Sequence, residues 1–173
     1  DRKGAINYKE VYECLSELNL TIYTPTQFIL PSKLSKYLSK EETENFRKGR
    51  ETGIQRLMSI NLLKRMESSV HSFLLTVQRV YQYLYETDQI IDTFIKNGQG
   101  NLSEMDDLSG AAADFDEDDQ NTDFFSVGKK IQLDLRDMDY ISWQRDIKAD
   151  LETLSLLIGM VKDITPEYDY KLN

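Results

Sequence analysis

Apolar residues recur through the middle of the chain at alternating spacings of three and four: Leu63, Met66, Val70, Phe73, Val77, Val80, Leu84, Thr87, Ile91 and Phe94. Nine of these ten positions are apolar, a heptad seam sustained for more than four heptads. The pattern predicts one long helix from residue 53 to residue 97, roughly 65–70 Å long at about 1.5 Å per residue, in coiled-coil-like packing. Asn97 and Gly98 supply its C-terminal stop. A second seam, Ile147, Leu151, Leu154, Ile158 and Val161, repeats the four-three spacing. Ile141 and Trp143 lead into it, and its helix is expected to end near Ile164.

Weaker signals frame the two seams. Val11, Leu15 and Leu18 fall at helical spacing, with Tyr8 and Tyr12 beside them. The apolar stretch that follows is broken by Pro25 and Pro31, so turns or a short helix are expected there, packed on the core. Ser39 with Glu42 three residues on forms a capping box, and Gly49 and Gly53 mark a kink or a second helix start. Residues 98 to 127 hold nine acids and no Lys or Arg. Such a segment has too little apolar surface to offset ordering and reads as a disordered acidic loop. Thr165 as N-cap before Pro166 starts one more helix.

Two long seams joined by a flexible connection pair most simply as an antiparallel hairpin. The expected fold is all-α. Short N-terminal helices occupy residues 1–38, a long basic helix 39–97, the acidic loop 98–127, the second hairpin helix with its lead-in 128–165, and the start of a further helix 166–173. The chain opens without a methionine and stops just after that last start signal, so it reads as a piece of a longer protein.

Composition narrows the class. Charged residues make up 29% of the 173 and apolar residues 40%, values of a charge-rich helical domain. No uninterrupted apolar stretch approaches the roughly 20 residues that cross a bilayer. The lone cysteine, Cys14, cannot close an internal disulfide or build a thiolate metal site, and a reducing cytoplasmic location is expected. The net charge of −9 is unevenly spread. Residues 33 to 79 carry ten Lys or Arg against five acids, whereas residues 80 to 173 carry eight against twenty-one. A charge run is ordinarily a solvated helix face, yet a distinct basic third suits a polyanion partner.

Catalytic candidates are few. His71 stands near Ser68, Ser69 and Glu67, but side chains at those spacings on one helix diverge, and no second element supplies an oxyanion hole. The acidic run departs from a calcium loop: counted from Asp114, Asp119 falls where glycine is needed and Phe125 where glutamate is needed. No glycine-rich phosphate cradle ends in Lys-Ser or Lys-Thr. No cofactor, metal ligand set or catalytic residue is expected in this chain. The residues suited to phosphate contact are Arg56, Lys64, Arg65 and Arg79, with Arg47, Lys48 and Arg50 before them. On one continuous helix, Arg56 and Lys64 share a stripe and Arg65 and Arg79, fourteen apart, share another.

The segment GIQRLMSINLLKRMESSVHSFLLTVQRV, residues 53 to 80, resembles a run in bacterial Swi/Snf-related superfamily-two helicases, where wording like LMRxNLLKRLESSxxAF follows the first ATPase lobe. FFSVGKKIQLDLRDMDYISWQRDIKADLETL and ITPEYDYKLN resemble the same family, so the likeness covers most of residues 22 to 173. Ser72 stands where the family has alanine and Leu74 where arginine is common, which weakens the basic face. The resemblance implies a helical insert between two RecA-like motor lobes of an ATP-dependent helicase or DNA translocase. ATP and Mg would bind the parent's lobes and not this segment; its partners would be those lobes and nucleic acid, most simply duplex DNA, with no membrane. The alternative is a coiled-coil interaction or spacer module without nucleic-acid contact.

Overall fold

The computed structural model describes residues 8–38, 44–98 and 133–162. The elements among them are all helical, and the only extended pairing is an isolated antiparallel bridge between Ile29 and Met138. The chain is all-α, as its periodicity predicts. Its helices are α1 (Tyr8–Ser16), α2 (Glu44–Ser68), α3 (Val70–Asn97) and α4 (Tyr140–Lys162). The capping box at Ser39 and Glu42, the helix start at Thr165 and Pro166, and the acidic segment after Gly98 lie outside the described residues.

α3 and α4 form the antiparallel hairpin. The ring of Phe94, near the end of α3, meets Tyr140, the first residue of α4, edge-on with centroids 5.1 Å apart. About two turns inward, the Gln144 amide donates to Asp88 at 2.9 Å and to Asp92 at 2.7 Å, and the Lys148 ammonium lies 3.1 Å from Asp88. Of the first seam, Leu63 is half-buried and the other nine residues are buried. Ile147, Leu154 and Val161 are buried from the second, with Leu151 and Ile158 half-buried against them. Just past Phe94, at the C-terminus of α3, Gly98 adopts a left-handed conformation (φ 70°) and returns its N–H to the Phe94 carbonyl at 2.7 Å, the expected C-terminal stop.

The single long helix expected over 53 to 97 is instead two. Ser69 sits between them with φ −161° and ψ 117°, extended geometry that no helix accommodates. Its hydroxyl accepts the Ser72 N–H at 3.2 Å, satisfying one of the donors exposed at the start of α3. The heptad spacing passes unbroken through the elbow, which is why apolar periodicity alone does not reveal it. Gly49 and Gly53, the expected kink positions, both lie inside the continuous helix α2.

The elbow sends α2 back past the hairpin. The N-terminal segment fixes the directions. It meets α2 in reverse order, through Tyr12 with Glu67, Asn19 with Gln55 and Thr26 with Glu51. It also meets α4 in reverse order, through Cys14 with Met160, Asn19 with Asp150 and Thr21 with Trp143. So α2 runs in the same sense as α4 and opposite to α3. Three 3-10 turns, Thr21–Tyr23, Pro25–Phe28 and Pro31–Lys36, follow α1, the first two lying between α2 and α4. Pro25 and Pro31 each open a turn, where their missing N–H leaves no bond unmade. Ile22 and Tyr23 are buried almost completely, and the Trp143 indole donates to the Thr21 carbonyl at 2.8 Å. This second covering explains why α4 buries Trp143, Asp150 and Leu157 in addition to its seam.

A polar knot closes the other end. Asp137, in the 3-10 turn Leu135–Asp137 before α4, accepts from the Lys36 ammonium at 2.8 Å and from the Tyr37 hydroxyl. Backbone bonds from Leu30 to Asp137 and from Asp139 to Phe28, at 2.8 and 2.7 Å, join the same two strands of chain.

Candidate nucleic-acid interface

The basic residues divide by helix and by partner. Arg56 and Lys64 are exposed on α2, with Ile60 between them at successive spacings of four and 41% exposed. That spacing sets all three on one outward stripe. Arg65 is half-buried, and its guanidinium donates from Nη1 to the Ser72 hydroxyl at 3.2 Å, spanning the elbow. Arg79 is exposed, but on α3, beyond Ser69. The stripe expected to join Arg65 and Arg79 therefore does not exist, because it presumed one straight helix through both. The structure brings together Arg56 and Lys64 and sets the other two apart from them.

The basic run ahead of this stripe is also divided. Lys48 is exposed and pairs with Glu44 at 2.8 Å, one turn before it. Arg47 is turned inward and only 5% exposed, and Arg50 is half-buried. Beside them Glu51 is buried, its Oε2 accepting the Thr26 N–H at 3.3 Å while Oε1 has no hydrogen-bond partner. Burial pushes this carboxyl up to about 7, against the opposing pull of Thr26, Arg47 and Arg50. Sequence reasoning passed over Glu51. Its signal was present, since Arg47, Glu51, Ile54 and Met58 keep the four-three-four phase of the inward face of α2.

The residues weighed for catalysis are engaged separately. The Ser68 hydroxyl donates to the Arg65 carbonyl at 3.3 Å, Ser69 caps α3, and Glu67 accepts from the Tyr12 hydroxyl at 3.0 Å. His71 is exposed in the first turn of α3. Cys14 is half-buried with its sulfur 4.0 Å from that of Met160, and burial, then the nearby Glu17, Glu10 and Glu13, pushes its thiol up. Among the described residues no three His, Cys, Asp or Glu side chains group closely enough to hold a metal ion. No described helix is long and apolar enough to cross a membrane.

Comparison with protein-family models, with curated proteins and with solved structures found no match.

Proposed function

We propose that this chain is the non-catalytic helical insert of a cytoplasmic ATP-dependent helicase or DNA translocase, acting as a rigid strut between its two RecA-like lobes. The outward stripe of Arg56 and Lys64 then lies against a nucleic-acid backbone, with Arg65 and Arg79 outside that contact. ATP and Mg belong to the flanking lobes. The family reading rests on the resemblance of residues 53 to 80, and the strut reading on the Asp88–Gln144–Asp92–Lys148 cluster that fixes α3 against α4. An element that relays a lobe movement must not slide internally, and that cluster opposes sliding.

The test uses the full-length protein with its flanking sequence. Replacing Gln144 and Lys148 together by alanine should leave ATP hydrolysis in place and lower translocation along duplex several-fold. Equal rates of both activities in the variant and the parent would remove the strut reading. Replacing Arg56 and Lys64 by alanine should weaken duplex binding and lower its salt dependence by about one unit of slope per lost phosphate contact. An unchanged slope would remove the nucleic-acid contact and favour the spacer alternative. That second reading has its own support in the exposed Ile141 and Leu156 of α4, at 67% and 62%.

A further inference from the structure

The contact between Glu51 and Thr26 lies where α2 meets the wedge of N-terminal turns. Both residues are buried, at 4% and 5% exposure. The carboxylate receives one long backbone hydrogen bond at 3.3 Å and the pull of the Thr26 side chain beside it, while its other oxygen makes no close hydrogen bond. A neutral carboxylic acid sits in such a place at modest cost. An ionised one loses most of its hydration, and the Thr26 side chain and N–H together with Arg47 and Arg50 offset only part of that loss.

We propose that Glu51 is a proton-sensitive latch: protonated, it holds the Pro25–Phe28 turn against α2, and ionised, it releases that turn. The charged groups facing it are Arg47 and Arg50 of its own helix, and they favour the ionised form. The turn Pro25–Phe28 brings no ionisable side chain, and the neighbouring turn Thr21–Tyr23 brings only the fully buried Tyr23 phenol, which burial holds protonated. The balance among these groups puts the carboxyl at about 7, so the latch operates across neutral pH. Release exposes the segment that separates α2 from α4 and loosens α2 from the hairpin. The latch stands independently of the helicase reading, since it concerns only contacts within this chain.

Hydrogen exchange on the whole chain, corrected for intrinsic rates, tests it. If the released carboxyl titrates near 4.5 and the latched one near 7, opening of residues 21–28 becomes about tenfold more frequent between about pH 6 and about pH 8. The Glu51→Gln variant, neutral at every pH, should lose that change and stay protected. Equal protection of the wild-type turn at both pH values, or the same tenfold change in the glutamine variant, would overturn the latch. A carbon-13 titration of the Glu51 carboxyl in the wild type gives a second readout that needs no variant. A midpoint near 7 supports the latch, and one near 4.5 overturns it.

Discussion

The carboxylate of Asp150 on α4 accepts two consecutive backbone N–H groups, from Asn19 at 2.8 Å and Leu20 at 2.7 Å. Leu20 holds a left-handed conformation, with φ at 53°, which a leucine adopts at a cost. Its side chain is buried, so glycine would relieve the backbone and lose the packing. One aspartate thus fixes the corner at which α1 gives way to the 3-10 turns. Burial raises its pKa, and the two N–H bonds oppose that rise.

Asp150→Ala should cost about 2–3 kcal/mol, because it leaves two backbone donors without their acceptor at a largely buried corner. Denaturant unfolding measures the loss, and exchange at Asn19 and Leu20 should rise further than exchange at the centre of α3. A loss below about 0.5 kcal/mol would mean that water replaces the carboxylate at this corner.

Gly49→Ala should stabilise the chain. Gly49 is exposed inside α2, and a Cβ added there meets nothing within 4 Å. Alanine in a helix interior gains about 1 kcal/mol over glycine, a rise of a few degrees in Tm for a domain of this size. Gly159 in α4 offers the same open space, and the two replacements should add. Gly98→Ala should do the opposite, because its φ of 70° suits glycine.

Ser69→Ala tests the elbow. Removing the N-cap should cost about 1 kcal/mol and shorten the protected part of α3 at its start, as read by exchange at Ser72. Ser69→Asp, which keeps a capping oxygen, should restore most of it. Equal stability of all three forms would show that the seam on either side, and not the cap, sets the break.

The Glu51 carboxyl gives the stability curve a definite sign. Its folded-state value of about 7 lies above the ordinary 4.5, so between those two the folded chain binds more protons than the unfolded one. The stabilisation is fully present below 4.5 and is lost as pH rises through 7. The whole shift corresponds to about 3 kcal/mol. Thermal unfolding of Glu51→Gln should lack this decline and exceed the wild type above neutrality.

The helices and their pairing were legible because burial repeats on a fixed period, and α3 against α4 follows that period from Val70 to Phe94. The elbow was not, since an extended Ser69 leaves the spacing of Met66, Val70 and Phe73 unchanged. The candidate site suffered from the same blind spot. Arg56 and Lys64 share a stripe because both precede the break, while Arg79 follows it. Arg65 carried no warning that its guanidinium would reach Ser72 across the turn. Glu51 and Asp150 show another limit: a charged residue in phase with a buried face marks an inward position, but its partners, Thr26 and the Asn19–Leu20 backbone, come from segments without helical period.

The cluster between α3 and α4 makes the hairpin a keyed joint. A slip by one heptad would carry Gln144 away from Asp88 and Asp92 and set those carboxylates beside apolar layers, at a cost of several kcal/mol for the stranded charge. Apolar seams alone tolerate such slips, since one leucine layer resembles the next. With the Gln144 amide and the Lys148 ammonium on one side and Asp88 and Asp92 on the other, α3 and α4 are held in a single register.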